Sequence, residues 1–266
     1  MAGGTPVAVF DDHRWTLPLV ALAAQQGLTA LPATLVSFDR HRDSLAPLGG
    51  AAPLKPYRAG ASDMRELLEL VRVQLSPRDD DWIAAGMEMG LIGDVVQFSS
   101  NLDMTEPEPP VHDYRDHTGA LHRMFRLGRP QNELSFKGAL ADPEHPAWGG
   151  LREAAGWDPG GGRFAAPYIL DLDLDYWTLS WDTYTFPFPA EVFAGEFGAV
   201  CQPTVGTLYP VARFFEGLLL GTPLVTIARE PDFCGGEANA ESIFAALEKN
   251  WLGCADLPGN PDMSHE

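Results

Sequence analysis

Short apolar runs alternate along this chain with segments that have helical spacing. The apolar runs predict buried strands at residues 7–10, 35–38, 95–98, 168–175 and 223–227. Apolar positions at helical spacing predict helices at residues 15–25, 62–73, 82–91 and 239–251. Strands that alternate with helices favour a parallel sheet with helices on its faces. The pattern therefore predicts an α/β fold of three layers, α/β/α, with a mostly parallel sheet.

Several parts of the chain lack such a pattern. Residues 47–60 are rich in Gly, Pro and Ala and predict a loop. The region of about 104–164 is broken by prolines and mixes His, Arg and Asp, which indicates an elaborated loop, and residues 176–189 are aromatic, proline-rich and too irregular for a helix. We expect a disordered tail at about 256–266. With 266 residues and 45% hydrophobic content, the chain can bury a large core, and a single domain over 1–266 is expected.

Two acidic stretches follow directly after predicted strand segments. The letters DRHRD (39–43) follow the run 35–38, and DLDLD (171–175) follow the run 168–170. Alternate side chains of an extended chain share a face, so the spacing predicts one shared face for Asp39, His41 and Asp43 and another for Asp171, Asp173 and Asp175. Unpaired carboxylates on a half-buried face are costly unless they are neutralised, and a bound cation removes that cost.

A third predicted strand, at 7–10, ends beside His13. Ligands of parallel α/β sheets bind where the strands end at their carboxyl edge, so these strand ends are expected to converge on one site. The candidate metal ligands are two imidazoles and four carboxylates: His13, Asp39, His41, Asp43, Asp173 and Asp175.

Four negative charges balance two divalent cations, so this ligand set favours two metal ions. Oxygen donors suit Mg²⁺, Ca²⁺ or Mn²⁺, and imidazoles shift the preference toward a transition metal, which puts Mn²⁺ first, with Fe²⁺ and Zn²⁺ behind. Two ions about 3.5–4 Å apart would deprotonate a bridging water near neutral pH. The expected reaction class is hydrolysis.

Charge and cysteine content narrow the function classes. The net charge of −19 and the sequence pI of about 4.6 argue against a nucleic-acid partner and fit a cationic substrate, although acidity can also serve solubility alone. The three cysteines form no CxxC pair, so neither a disulfide framework nor a thiolate zinc site is indicated, and a reducing cytoplasm is the expected location. The first residues lack a basic signal-peptide region, and no run approaches the roughly 18 apolar residues of a membrane span, so no membrane partner is expected.

The order of these motifs resembles the arginase and deacetylase superfamily, whose arginase-like members hold a binuclear manganese cluster. Within it, four segments are similar to the peptide arginase family: FDDH (10–13), FDRH (38–41), ILDLDLDY (169–176) and EPDFCGG (230–236). The resemblance runs from His13 to Gly236 and is loose between about residues 50 and 164. It implies an arginase/deacetylase-like fold and hydrolysis of arginine side chains in a peptide to ornithine and urea.

The resemblance also assigns roles within the late motif. Related deacetylases carry Asp-x-Asp-x-His, in which the first Asp is structural, so Asp173 and Asp175 are implied to be ligands and Asp171 a supporting residue. Asp175 in place of the His argues against deacetylation. The Asp-Pro that follows the motif in the family is absent, and Tyr176 and Trp177 begin the corresponding segment here.

Other roles stay open at this point. Glu230 or Asp232 is expected to orient the cationic head group of the substrate. The candidates for a proton shuttle are His112, His117 and His122, and Glu88 is expected to face solvent. The alternatives to a peptide-acting enzyme are a ureohydrolase or deacylase that acts on a small molecule, and a non-catalytic protein that binds a metal or a peptide. The sequence does not indicate the oligomeric state.

Overall fold

A seven-stranded sheet forms the centre of this protein in a computed structural model. The structure describes residues 4–47, 50–51, 54, 56–58, 62–78, 80–99, 111–127, 152–153, 156–158, 163–164, 167–193, 197 and 209–253.

The strands, in chain order, are β1 (Val7–Phe10), β2 (Ala33–Asp39), β3 (Ile92–Ser99), β4 (Val111–Arg115), β5 (Leu121–Leu127), β6 (Trp157–Asp158), β7 (Arg163–Phe164), β8 (Tyr168–Asp173), β9 (Thr178–Trp181), β10 (Tyr184–Pro187) and β11 (Val225–Ala228). The helices are α1 (Thr16–Gln25), α2 (Met64–Gln74), α3 (Trp82–Glu88), α4 (Tyr209–Gly221), α5 (Pro231–Cys234) and α6 (Glu237–Asn250), with 3₁₀ helices at His13–Trp15 and Leu174–Trp177.

The main sheet has the strand order β1-β11-β8-β2-β3-β5-β4. All neighbouring pairs are parallel except β4 and β5, which pair antiparallel at one edge. The central strands are buried on both faces, as expected when helices cover a parallel sheet from both sides. This arrangement confirms the predicted α/β class with a mostly parallel sheet.

Each face of the sheet packs against its own hydrophobic core. On one face, Leu35 and Ile169 of the sheet lie in the same cluster as residues of α1, α2 and α3. On the other face, Phe38 and Leu172 lie in a cluster with residues of α4 and α6 and with Trp251. Consecutive residues of one strand therefore serve opposite cores, which gives the three layers.

Two acidic strand ends stop earlier than the alternation predicts. β2 ends at Asp39, so His41 and Asp43 lie beyond the strand. β8 ends at Asp173, and Asp175 lies in the following 3₁₀ helix. The prediction that each acidic stretch continues as a strand is therefore wrong. The acidic run itself explains this, because Asp is disfavoured in strands and readily accepts a hydrogen bond from the backbone two residues on.

The expected loop at about 104–164 contains the strands β4 and β5 and the short pair β6–β7, so that prediction is wrong at residues 111–115, 121–127, 157–158 and 163–164. β4 is a polar edge strand with alternating exposed and half-buried residues, which left no apolar run to recognise. Residues 101–110 and 128–151 lie outside the described residues, as does the predicted tail at 256–266. The single domain and the disordered tail stay predictions.

The aromatic stretch at 176–189 is a second departure from the sequence pattern. It holds a short antiparallel pair, β9 and β10, in place of an irregular segment. No element was predicted for residues 209–221, where the structure has the helix α4. Within the part of the chain that the structure describes, no helix has the length and apolar character required to cross a membrane.

Candidate metal centre

Four neighbouring strands of the sheet carry an acidic or imidazole side chain at or just beyond their carboxyl ends. In the spatial order β1-β11-β8-β2, these side chains belong to His13, Glu230, Asp173 and Asp39. His13, Asp39 and Asp173 are fully buried and Glu230 is 5% exposed. The parallel arrangement places groups from distant parts of the chain at one edge of the sheet.

Asp39 and Asp173 lie side by side because of the strand register. Phe38 of β2 pairs with Leu172 of β8, so the next residue of each strand ends its strand at the same level. Both aspartates lie on the sheet face covered by α1, α2 and α3, since Phe38 and Leu172 belong to the opposite core.

His13 lies between a supporting carboxylate and the acidic cluster. Its Nε2 is 2.8 Å from Asp171 Oδ2. Its Nδ1 is 3.0 Å from Asp43 Oδ2, 3.5 Å from Asp173 Oδ2 and 3.7 Å from Glu230 Oε1. When Nε2 donates its proton to Asp171, the lone pair of Nδ1 points to the cluster, which is the arrangement of a metal-binding histidine with a supporting carboxylate.

Asp171 is fully buried and its oxygens already accept several hydrogen bonds. Besides His13, its donors are hydroxyl groups at 3.3, 3.0 and 2.7 Å, from Thr16, Ser37 and Thr226 respectively. Ser37 and Thr226 pair with Asp171 across the neighbouring strands β2 and β11. The row of hydroxyls therefore holds Asp171 as a support for the His13 ring.

The turn after β2 brings His41 and Asp43 back to the strand end. Asp39 Oδ1 accepts from the His41 backbone N–H at 2.5 Å, and the Gln97 side-chain amide donates to the His41 carbonyl at 2.9 Å. Asp43 has a φ of 49°, in the left-handed region, and its Oδ2 accepts from Trp82 Nε1 at 2.8 Å. A tight turn therefore brings His41 and Asp43 to the cluster. The sequence pattern instead predicts that they share a strand face with Asp39.

His41 and Asp175 form the second half of the cluster. His41 Nδ1 lies 2.8 Å from Asp175 Oδ2, and the His41 ring contacts the ring of Phe233 with centroids 5.1 Å apart. Asp175 is held by its place in the 3₁₀ helix, where its backbone N–H donates to Asp173 Oδ1 at 3.0 Å.

All six predicted ligands come together in two overlapping groups whose ligand atoms lie within 4.8 Å of one another. The first group is His13, Asp39, Asp43 and Asp173, and the second is Asp39, His41, Asp173 and Asp175. Asp39 and Asp173 belong to both groups. This arrangement suits two divalent ions that share carboxylate ligands, and the role of the six residues as ligands stays a prediction.

Buried carboxylate oxygens are a second feature of the cluster that fits metal ions. Two buried carboxylate oxygens, Asp173 Oδ2 and Glu230 Oε1, lack a well-formed hydrogen bond among the described residues, and His13 Nδ1 lies 3.5 and 3.7 Å from them. Buried polar atoms are normally satisfied, because an unsatisfied carboxylate oxygen carries a large desolvation cost. Cations at this edge of the sheet would satisfy these oxygens.

Without a cation, three carboxyl groups of the cluster have raised pKa values, those of Asp39, Asp173 and Glu230. Burial, followed by the charge of Asp175, raises the pKa of Asp173 to about 8. Burial, followed by the charge of Asp173, raises the pKa of Glu230 to about 12. Burial and the charge of Asp43 raise the pKa of Asp39 well above its usual value. A bound cation therefore has to displace protons from these groups.

The two imidazoles are shifted by the same carboxylates. Burial lowers the pKa of His41, but the hydrogen bond and the charge of Asp175 outweigh burial and raise the pKa to about 9. Burial also lowers the pKa of His13, and the charge and hydrogen bond of Asp171 reverse this effect. Each imidazole thus lies in a strongly negative environment.

Glu230 and Asp232 occupy different surroundings. Glu230 is buried at the centre, has a φ of 39° in the left-handed region, and precedes α5. Asp232 lies in the first turn of α5 and is exposed. Of the two predicted head-group residues, the structure brings Glu230 to the cluster and leaves Asp232 on the surface.

The residues proposed as proton shuttles lie elsewhere in the sheet. His117 Nδ1 is 2.7 Å from Glu88 Oε2, in the turn before β5, at the edge where the parallel strands begin. His122 follows on β5, and His112 pairs with Met124 within the sheet. Glu88 is buried, so the expectation that it faces solvent is wrong. Its partners, Tyr114 and His117, come from a region that the sequence analysis treated as a loop.

Sequence reasoning did not identify the residues that support the ligands. Trp82, Gln97, Ser37 and Thr226 each contact the cluster or Asp171, yet each occupies an unremarkable position in a helix or strand pattern. The polar residues Ser37 and Gln97, inside otherwise apolar strands, were the available signal, because a buried polar residue requires a partner.

No protein-family model and no curated protein matches this chain. A solved structure described as a hypothetical agmatinase from Burkholderia thailandensis is similar to it, with 18% sequence identity and a TM-score of 0.43. That match covers 94% of this chain and 58% of the other, so this chain spans less than two thirds of the length of that protein. The class of site is defined by the buried Asp/His cluster at the sheet edge.

Proposed function

We propose that this protein is a binuclear manganese amidinohydrolase that converts arginine within a peptide to ornithine and urea. The observation that carries the proposal is the pair of ligand groups that share Asp39 and Asp173. Two adjacent ions with common carboxylate ligands are typical of hydrolytic two-metal sites. The resemblance of four sequence segments to the peptide arginase family supports the same reaction.

The six candidate ligands divide between the two ions. His13 and Asp43 would hold one ion and His41 and Asp175 the other, with Asp39 and Asp173 shared. Oxygen donors combined with imidazole favour manganese over magnesium, calcium or zinc. When bound, such an ion pair activates water for hydrolysis near neutral pH.

Asp171 maintains the orientation of His13 by holding its ring at Nε2. The buried Asp171 accepts hydroxyl hydrogen bonds on both oxygens, so its carboxyl group is held in one orientation in the core. This keeps Nδ1 directed at the cluster.

Glu230 supplies a site for the cationic end of the substrate. A guanidinium carries paired N–H donors that match a carboxylate, so an arginine head group would both neutralise Glu230 and satisfy its buried oxygen. The net charge of −19 favours the approach of such a cation.

The overall reaction consumes one water. The water oxygen forms a bond to the guanidino carbon, and the C–N bond between that carbon and the side-chain nitrogen breaks. The departing nitrogen takes up a proton that the water releases and becomes the ornithine amine, and the guanidino carbon leaves with the water oxygen as urea.

The test is urea release by manganese-loaded protein from arginine-containing peptides, free arginine and agmatine, together with the mass of each peptide product. We expect urea and an ornithine-containing peptide. Absence of urea from all three substrates would refute the proposal, and a product that has lost an acyl group would identify a deacylase. Elemental analysis of the protein as isolated is expected to give close to two manganese ions per chain, and one zinc ion would contradict the binuclear site.

A further inference from the structure

The pair β9–β10, here called the ribbon (residues 178–187), has one apolar face directed at solvent. Leu179 pairs with Phe186 and Trp181 pairs with Tyr184, so these four side chains share a face. Their exposed fractions are 51%, 50%, 80% and 63% respectively. Surface apolar residues are usually scattered singly, and four large ones on one face indicate a binding surface.

The opposite face of the ribbon is fixed to the body of the protein. Asn239 Nδ2 donates to the Thr185 carbonyl at 3.2 Å. Gly235 has a φ of +83°, and a Cβ placed on it would lie 2.6 Å from the same carbonyl oxygen. The ribbon therefore packs closely on the turn between α5 and α6, and its apolar face is the outer one.

The ribbon joins the candidate metal centre through two routes. Along the chain, Thr178 starts β9 and its hydroxyl donates to the Asp175 carbonyl at 2.6 Å. Through space, the ribbon rests on α5, which begins after Glu230 and carries Phe233 against the His41 ring. The ribbon is therefore connected to the metal centre both along the chain and through α5.

The negative charge around the ribbon favours a cationic partner. Within residues 178–193 and 229–241, the exposed acidic residues are Asp182, Glu191, Asp232, Glu237 and Glu241. They outnumber the nearby basic residues, which are Arg229, paired with Glu237, and Arg40, which donates to the Thr178 hydroxyl. A second copy of this chain would bring the same negative charge to the contact. A cationic partner would meet the opposite charge.

We propose that the apolar face of the ribbon binds apolar side chains next to the target arginine of a peptide, while the arginine enters the metal centre. This proposal rests on the proposed function and specifies its substrate class, a cationic peptide whose arginine has apolar or aromatic neighbours.

Two matched synthetic peptides test it, one with Leu and Phe on both sides of a single arginine and one with Ser and Gly in those positions. The double variant Trp181→Ser/Tyr184→Ser is compared with the wild type. Leu220→Ser serves as control, because Leu220 is 74% exposed on α4, at the opposite edge of the sheet near the start of β8. The readouts are kcat/KM for urea release and the dissociation constant of each fluorescently labelled peptide.

We expect the wild type and the Leu220→Ser variant to prefer the apolar-flanked peptide by about tenfold in both readouts, as for loss of exposed aromatic anchors at an interface. The double variant is expected to lose this preference while its kcat/KM for the Ser/Gly peptide and its thermal midpoint stay unchanged. Equal preference in wild type and double variant would overturn the proposal.

Two further outcomes separate the proposals from each other. If no peptide is hydrolysed but the wild type still binds the apolar-flanked peptide about tenfold more tightly than the double variant, the ribbon proposal stands and the proposed function fails. If sedimentation shows a wild-type dimer that the double variant converts to a monomer, with peptide binding unchanged, the ribbon binds a second copy and the proposal is wrong.

Discussion

The ring of His13 is held by the carboxylate of Asp171, with Nε2 and Oδ2 2.8 Å apart, although the two residues come from opposite halves of the chain. The contact fixes the tautomer that directs Nδ1 at Asp43 and Asp173. Asp171 is therefore expected to influence metal binding without contacting a metal.

Replacement of Asp171 by Asn is expected to weaken metal binding by about 10–100-fold, because the amide supports the ring less well and leaves hydroxyl donors without their acceptor. Isothermal titration with Mn²⁺ measures the change. Asp113→Asn, at an exposed position on β4, is the control and is expected to bind as the wild type does. Equal affinity of the Asp171→Asn variant and the wild type would show that the contact has no role in metal binding.

Metal stoichiometry distinguishes shared from unshared ligands. Asp39 belongs to both ligand groups and His41 to one. The Asp39→Ala variant is expected to lose both ions, whereas His41→Ala is expected to retain about one ion per chain, because the first ligand group stays complete. Elemental analysis of the purified variants gives both numbers. Two ions retained by Asp39→Ala would contradict the shared arrangement.

The stability of the metal-free protein is expected to fall as pH rises through neutrality. The pKa of Asp173 is about 8 in the folded protein, well above that of an unfolded Asp at about 4, so the folded form holds a proton that the unfolded form has lost. His41, with a pKa of about 9, acts in the same direction. Its contribution is complete below about pH 6.5 and disappears as pH rises through 9.

Thermal unfolding in the presence of a chelator, from about pH 5.5 to 8.5, measures this trend. Added Mn²⁺ is expected to raise the melting temperature more at the high end, since fewer protons have to be displaced there. A metal-free melting temperature that rises steadily across this range would disprove the assignment of the cluster as the main titrating unit.

Two variants, each of which removes one negative charge, distinguish the roles of Glu230 and Asp232. Glu230→Gln is expected to reduce kcat/KM for an arginine peptide by at least about 100-fold, as for loss of a buried charged partner of a cation, and to keep both ions. Asp232→Asn is expected to leave kcat/KM within about twofold, because the side chain is exposed. The reverse pattern would assign the head-group role to Asp232.

Two glycines test how the ribbon is held. Gly119 and Gly235 both have positive φ, but a Cβ meets backbone within 4 Å only at Gly235. Gly119→Ala is expected to cost about 1 kcal/mol in the free energy of unfolding, from backbone strain alone. Gly235→Ala is expected to cost about twice as much or more, because the Thr185 carbonyl has to move. Urea unfolding measures both, and equal costs would show that the ribbon yields easily.

The residues at the strand ends were predictable because each of them follows an apolar run that is typical of a buried strand. His13, Asp39 and Asp173 follow apolar runs that the structure confirms as β1, β2 and β8, and a parallel sheet brings such ends together. The path of the chain beyond the strands was not predictable in the same way. His41 and Asp43 reach the cluster through a turn with positive φ, which depends on contacts with Gln97 and Trp82 from distant elements. Asp175 reaches it through a 3₁₀ helix that Asp173 caps.

The polar edge of the sheet was missed for a related reason. β4 exposes alternate residues and offers no apolar run, so its pairing with β5 depends on neighbours that the local sequence does not reveal. The burial of Glu88 was not predicted because its partners, Tyr114 and His117, lie on β4 and in the turn that follows it.

The position of β1 at the edge of the sheet, next to β11, has a consequence for biosynthesis. The ribosome releases β1 long before β11, the strand with which it pairs. His13 therefore waits for residues 225–228 before it can take its place, and long-range pairing of this kind is slow. The complete set of candidate ligands can therefore form only after residues 225–228 have been synthesised, and an ion that needs the whole set binds after β1 has paired with β11.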